Sequence, residues 1–323
     1  LSRRLGSSNS RLRRQGTEHG AREWQGGRDS LRKDWRRRWR RRNAGKAIAE
    51  QNLNTLKKEI IKRENEGIRP PCLAVILVGD DPASSIYVNK KKSACANVGI
   101  KSVSHQLPSD TTQSDLNNLI NTLNQDKDVD GILVQSPLPK HLDEDLIIEL
   151  ISPNKDVDGF HPFNIGSLAI RQPRLRSCTP YGVIKMLKAS NINLEGLDAT
   201  IVGVSNNVGR PMALELLLEK CTITSCHSRT KDLENKVRQA DLVVVAAGRQ
   251  NLVRGEWIKK GAIVVDIGIN RINNKLVGDV EFEVASQFAS HITPVPGGVG
   301  PMTVATLMEN TLQAQKLSAI GLQ

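Results

Sequence analysis

Tyr87 and Lys91 stand four residues apart in the run Ile86-Tyr-Val-Asn-Lys-Lys-Lys-Ser-Ala-Cys-Ala-Asn-Val-Gly-Ile100, which reads as a helix. One turn separates them, so ring and amine share a face. An aromatic platform beside an amine suits a flat heterocyclic substrate that must be held and deprotonated. A lysine acts as a base only if its pKa falls from about 10.4 toward neutrality, through burial or a neighbouring cation. Lys90 and Lys92 offer the cations. Taken alone, three consecutive lysines on a helix are a solvated face without chemistry, so the rest of the chain has to decide.

A second chemical signal is Gly203-Val-Ser-Asn-Asn-Val-Gly209, placed between an apolar run and a helical stretch. It departs from the dinucleotide fingerprint G-x-G-x-x-G, because Ser205 takes the middle glycine and the last glycine comes one residue late. A glycine turn ending a strand is common without any ligand. The next strand is more telling. Where an NAD enzyme carries Asp or Glu for the ribose hydroxyls, this chain has Cys226-His-Ser-Arg-Thr230. The Ser228 hydroxyl and Arg229 guanidinium suit a ribose 2′-phosphate, which a carboxylate would repel. That favours NADP over NAD. The plain alternative is that Arg229 decorates a loop.

Elements that could position these residues follow from apolar runs and helical periodicity. A helix is predicted over Ala44–Glu66, with Ile48, Leu53, Leu56 and Ile60 near helical spacing and Gly67 as its stop. Strands are expected at Cys72–Val78, Lys101–Gln106 and Gly131–Val134, separated by helices Ser84–Asn97 and Ser114–Asn124. The alternation restarts after Pro180 with a helix from Gly182 to Ala189. Apolar runs follow at 199–203, 222–224, 241–246 and 262–266, with a helix at Val208–Glu219 between the first two. Alternation of this kind predicts βαβ units and parallel sheets. The expected fold is α/β, two lobes with a cleft between them, the second Rossmann-like. We expect a substrate-binding lobe over 44–180, completed by a C-terminal helix over 302–317, and a cofactor lobe over 181–301.

Composition bounds the rest. The chain has 323 residues and net charge +12, but residues 1–43 hold 14 Arg and 1 Lys against four acids and so carry +11 of it. This tail has few aliphatics and no sustained period, and it is expected to be disordered. We favour a non-native stretch, translated in error or left by cloning; a targeting segment, or a polyanion binder using Trp35, Trp39 and Arg36–Arg42, are the alternatives. No apolar run approaches the roughly 20 residues of a membrane helix, so no membrane partner is expected. The five cysteines form no C-x-x-C pair, which fits a reduced, cytoplasmic setting. The six histidines show no ligand spacing, and no metal is expected.

Seven segments in order then carry a resemblance: Tyr87-Val-Asn-Lys-Lys91, Gly131-Ile-Leu-Val-Gln-Ser-Pro-Leu-Pro139, Pro153-Asn-Lys-Asp-Val-Asp-Gly159, Cys178-Thr-Pro180, the Gly203 loop, Asp266-Ile-Gly-Ile-Asn270 and Pro294-Val-Pro-Gly-Gly-Val-Gly-Pro-Met-Thr303. From Ala44 onward the chain resembles the bifunctional methylenetetrahydrofolate dehydrogenase/methenyltetrahydrofolate cyclohydrolase family, in its bacterial, monofunctional-length form. The resemblance implies a homodimer acting on tetrahydrofolate derivatives with NADP. It implies that Tyr87 stacks on the folate, that Lys91 is the catalytic amine and that Gln135 bonds Lys91 and helps set its protonation. Asp158 would receive the pterin's amino-bearing ring, and Pro296, Gly297 and Gly298 would line the folate site. Gly203, Val204, Ser205, Ser228, Arg229 and the backbone of Ile269 would hold NADP.

Three departures qualify the match. Ser136 replaces a usual leucine and is expected to loosen packing beneath Gln135. Val204 replaces a frequent arginine, leaving NADP preference to Ser228 and Arg229. Arg41-Arg-Asn-Ala-Gly-Lys46 replaces a short strand and turn, with an expected loss of local stability that does not touch the site. Two other readings compete: a shikimate-type NADP dehydrogenase, against which Gln135 and Asp158 argue, and a nucleic-acid binder working through Arg36–Arg42, whose affinity would fall steeply with salt.

Overall fold

A computed structural model describes residues 44–319 other than Asn274. The Arg-rich tail, with Trp35, Trp39 and Arg36–Arg42, lies outside the described residues.

The first sheet has three parallel strands in the order β2-β1-β3, with β1 at Cys72–Val78, β2 at Lys101–Leu107 and β3 at Gly131–Val134. All seven residues of β1 are buried, as expected for a central strand covered on both faces. Alternation sorts its side chains. Leu73, Val75 and Leu77 meet α1 (Ala44–Asn65) and α2 (Pro82–Val98), while Ala74, Ile76 and Val78 meet Leu116, Ile120 and Leu123 of α3 (Gln113–Gln125) and Ile147 of α4 (Glu144–Leu150). A short α5 (Pro162–Ala169) follows.

The second sheet is also parallel, in the order β5-β4-β6-β7-β10. Its strands are β4 (Asp198–Val202), β5 (Thr222–Cys226), β6 (Leu242–Val245), β7 (Ile263–Asp266) and β10 (His291–Ile292). A hairpin of β8 (Asn270–Ile272) and β9 (Lys275–Val277) projects after β7. The chain leaves β4 for β5 on one side and later returns to β6 on the other. Such a reversal opens a crevice at the strands' carboxyl ends, where ligands bind in sheets of this class.

Several boundaries differ from the sequence reading. The helix expected from Gly182, α6, starts at Cys178 with Ser177 as its cap, so Pro180 sits in the first turn, where its missing N–H costs nothing. After it come α7 (Gly209–Leu218), α8 (Leu233–Gln239), α9 (Phe282–Phe288) and α10 (Val299–Ala319). The last also begins earlier than expected, with Pro301 in its first turn. Four helices of seven or eight residues, α4, α5, α8 and α9, were not read, because two turns give too little period to register. The fifth strand, β10, is only two residues long.

Helix α10 joins the lobes. Val299, Met302 and Ala305 pack with β4, β6 and β7, whereas Leu307, Met308, Leu312 and Leu317 pack with β1 and α1. Arg176 adds a second tie, pairing with Glu215 of α7, which is fully buried, and stacking its guanidinium 3.6 Å from the Tyr181 ring centroid. Among the described residues no helix is long and apolar enough to cross a membrane.

Candidate active site

Helix α2 presents the expected pair. Asp81 starts it by accepting the Ser84 N–H at 2.7 Å, and Gly99, at φ 88°, ends it. Val88, Cys95 and Val98 face the core, which turns Tyr87 and Lys91 outward. Tyr87 is 41% exposed and lines a cleft of about 410 Å³, together with Lys46, Ile269 and the whole Pro294–Pro301 loop. Pro296, Gly297 and Gly298 therefore line the same cleft as Tyr87. Gly298 has no room for a side chain, since a Cβ would lie 2.5 Å from the Pro294 carbonyl oxygen.

Lys91 Nζ donates to Gln135 Oε1 at 3.0 Å. Gln135 follows β3, and its own Nε2 donates to the Ser136 carbonyl at 2.6 Å. Tying the amide nitrogen down leaves its oxygen aimed at the amine. Ser136 is exposed and its hydroxyl bonds Glu144 at 2.5 Å; it anchors the turn instead of loosening anything beneath Gln135, contrary to expectation. The cationic neighbours also differ from expectation. Lys90 Nζ stands 5.5 Å from the Tyr87 ring centroid, Lys92 is exposed, and Lys91 is close enough to Asp158 for its charge to act on that carboxyl.

Burial pushes the Asp158 carboxyl above the usual carboxylate range; the Lys91 ammonium pulls it back down, and Asp156 pushes it further up. Asp156, two residues earlier, shapes the turn that presents it. Its carboxylate accepts from the N–H groups of Gly159, Phe160 and His161 at 3.1, 3.2 and 2.9 Å and from Asn164 Nδ2 at 2.9 Å. Asn310 of α10 braces the far side, donating to the carbonyls of Val157 and Arg176 at 2.8 Å each. The sequence reading missed both. Asp156 had a signal, an Asp three residues before a Gly at a turn, whereas Asn310 sat inside a helical run with nothing to mark it.

On the second lobe, Gly203 and the His227–Thr230 turn follow β4 and β5, which pair Val202 with Cys226, so both loops lie at adjacent carboxyl ends. Gly203 has φ 112°, and a Cβ there would lie 2.1 Å from the Ala246 carbonyl oxygen. Gly209 opens α7 with its Cα so near the loop that a Cβ would lie 2.0 Å from the Gly203 oxygen. Ser205 Oγ accepts from the N–H groups of Val208 and Gly209 at 3.2 and 3.5 Å, shaping the helix start. Val204 is half-buried beside it, and Ser228 and Arg229 are exposed at the end of β5. A glycine cradle at a helix N-terminus, a hydroxyl and a guanidinium at the next strand, and no carboxylate between them fit a dinucleotide with a 2′-phosphate. Ile269, 51% exposed, follows β7, two strands from the Gly203 loop, and lies at the cleft.

Gly45 and Lys46, the described end of the Arg41–Lys46 segment and the first turn of α1, bear on the site more than expected. A Cβ on Gly45 would lie 1.7 Å from the Gly298 oxygen, and Lys46 lines the cleft. The start of α1 is thus packed on the Pro294–Pro301 loop.

Comparison with known proteins agrees with this geometry. Residues 44–158 match the tetrahydrofolate dehydrogenase/cyclohydrolase catalytic domain, and residues 177–319 match the NAD(P)-binding domain of the same family. The chain belongs to the tetrahydrofolate dehydrogenase/cyclohydrolase family. It is 63% identical over 274 residues to the bifunctional protein FolD of Methylobacillus flagellatus, covering 84% of this chain and 95% of that one. The crystal structure of the FolD methylenetetrahydrofolate dehydrogenase/cyclohydrolase from Campylobacter jejuni superposes with TM-score 0.83 at 53% identity, covering 85% and 98% of the two chains. The Trypanosoma brucei FolD structure, complexed with NADP cofactor and inhibitor, gives 0.82 at 39%, covering 85% and 97%. The family's two activities, dehydrogenase and cyclohydrolase, are therefore this chain's activities, with an NAD(P)-binding domain for the cofactor.

Proposed function

We propose that Lys91 handles the proton, Tyr87 the ring and Asp158 the amino-bearing edge of a folate bound in the cleft. The enzyme oxidises 5,10-methylenetetrahydrofolate to the 5,10-methenyl compound and hydrolyses that to 10-formyltetrahydrofolate. The observation that carries these roles is the 3.0 Å bond from Lys91 Nζ to an amide oxygen fixed by its own nitrogen, one helical turn from an aromatic ring at the cleft.

In hydrolysis, water adds to the methenyl carbon, whose positive charge is shared with two flanking nitrogens. The C=N electron pair retreats to one nitrogen, and Lys91, which must be the neutral amine at this step, receives the proton that water loses. Gln135 keeps the amine at that spot. The hydroxyl then gives up its proton as the carbonyl forms, the bond to N5 breaks, N5 takes a proton, and one proton is released overall. For the oxidative step, NADP when bound supplies the hydride acceptor. Gly203 and the start of α7 would take its pyrophosphate, Ser228 and Arg229 its 2′-phosphate, and the Ile269 backbone its nicotinamide end. Val204 and Ser205 complete the loop.

The same reading divides the chain into a folate lobe over 44–180, completed by α10, and an NADP lobe over 181–301, and it takes the enzyme to be a cytoplasmic homodimer. All five cysteines are buried and unpaired, as suits a reducing compartment. The test of the site is Lys91→Met. Hydrolysis of methenyltetrahydrofolate should vanish while NADP still binds, and retained hydrolysis would refute the assignment.

A further inference from the structure

Asp266 and Asp279 are both buried, and neither has a part in the steps above. Asp266 ends β7; its Oδ1 accepts the N–H groups of Gly268 and Asp279, both at 3.0 Å, and its Oδ2 that of Val280 at 2.9 Å. Asp279 lies just after the β8–β9 hairpin. Its Oδ2 accepts the N–H groups of Ala247 and Gly248 at 2.7 and 2.8 Å, and its Oδ1 the Asn270 Nδ2 at 2.9 Å. Two carboxylates thus join the loop after β6, the turn after β7 and the base of the hairpin.

The wrapping is close. A Cβ on Gly268 would lie 2.1 Å from Asp279 Cγ, and one on Gly278 would lie 1.9 Å from Asp266 Oδ2. Ile269 is braced on both sides, by Gly268 and by Asn270, while its own side chain opens to the cleft. From Ser228 and Arg229 at the end of β5, a dinucleotide crosses the ends of β4 and β6 to reach β7, three strand spacings or about 14 Å away. The braced segments stand at the far end of that path. Burial pushes the Asp266 carboxyl up to about 7, so the fold keeps an ionisable group where ionisation is opposed, which is common where geometry serves function.

We propose that Asp266 and Asp279 are positioning residues for the nicotinamide end of NADP, holding the Ala247–Gly248 loop and the Gly268–Asn270 turn at a fixed spacing beside the folate cleft. This rests on the NADP reading above. Asn at 279 keeps the size but turns one oxygen into a donor, which then faces either Asn270 Nδ2 or two backbone N–H groups.

The experiment measures binding of NADPH and of 2′,5′-ADP to full-length Asp279→Asn, alongside methenyl hydrolysis without NADP and steady-state oxidation. Each of the bonds lost is charge-assisted, so NADPH should bind roughly tenfold more weakly and kcat for oxidation should fall roughly tenfold or more. The affinity for 2′,5′-ADP, which ends before the nicotinamide, should stay within about twofold, and hydrolysis should persist. Unchanged NADPH binding and oxidation, or equal weakening of both ligands, overturns the proposal. If Asp279→Asn fails to fold, seen as lost hydrolysis, Asn270→Ala removes one strut and leaves both carboxylates. It should show the same selectivity with a smaller loss, and unchanged NADPH binding there overturns the proposal too. A wild-type protein that binds neither ligand would overturn the NADP reading itself, and the positioning role with it.

Discussion

Replacing Gly209 with alanine should separate the two activities by geometry alone. The added Cβ would stand 2.0 Å from the Gly203 oxygen, 2.6 Å from its carbonyl carbon and 2.7 Å from the Val204 Cα, whereas ordinary contact begins at 3.4 Å. All three atoms are backbone, so no side chain can swing aside, and the loop or the helix must retreat by about 1.4 Å. Overpacking of this kind costs about 1–3 kcal/mol. Gly203 is itself wedged on the Ala246 carbonyl, so the retreat displaces the pyrophosphate cradle. If that cost falls on cofactor binding, NADP affinity drops by roughly 5- to 150-fold. Lys91, Gln135 and Asp158 belong to the other lobe, and methenyl hydrolysis should continue near its wild-type rate. The assays are NADPH fluorescence titration and the decay of methenyl absorbance. Unchanged NADPH affinity in a folded variant would refute the reasoning, because it would mean that the loop can retreat without disturbing the cofactor.

Arg229→Ala should raise KM for NADP by roughly 10- to 100-fold through loss of charge-assisted bonds and leave KM for NAD nearly unchanged; equal effects would put the phosphate elsewhere. Glu215→Ala strands the Arg176 guanidinium at the lobe junction and should cost about 3–5 kcal/mol, read as a lower midpoint of thermal unfolding; an unchanged midpoint would contradict the tie. Burial pushes the Asp266 carboxyl up to about 7 in the fold from an ordinary 3.8. As pH rises from about 4 the unfolded chain ionises first, so this group subtracts stability with a slope of up to ~1.4 kcal/mol per pH unit, and the loss is complete above about 7. The stability difference between Asp266→Asn and wild type should therefore change between pH 4 and 7 and hold constant above; a flat difference across that window would sink the assignment.

The sequence exposes those parts of the molecule in which one residue type recurs or two chemistries sit close in the chain. β1 is legible because both faces are covered and its seven residues are all apolar. Tyr87 and Lys91 are legible because one helical turn joins them. Arg229 stands out because it follows β5 at an exposed turn with no acidic residue beside it. The bracing groups are not. Asn310 reaches Val157 across 153 positions of chain, and Asp279 meets Ala247 across 32, distances at which no local spacing reports a contact. Ser136 misled for a related reason, since its partner Glu144 belongs to a seven-residue helix too short to show a period. Composition also hid the site's front edge: Gly45 adjoins an Arg-rich stretch, yet it packs on Gly298.

Helix α10 seals both hydrophobic interiors with successive halves of one rod. A ribosome therefore releases the first sheet, complete at Val134, long before the segment that closes it, and that sheet waits with a greasy flank open to water, whereas the second is complete only at Ile292, just before α10. Folding cannot proceed strictly lobe by lobe during synthesis. A stalled or clipped chain lacking those final turns would leave both halves unfinished at once, a target for chaperones and proteases rather than a half-working enzyme.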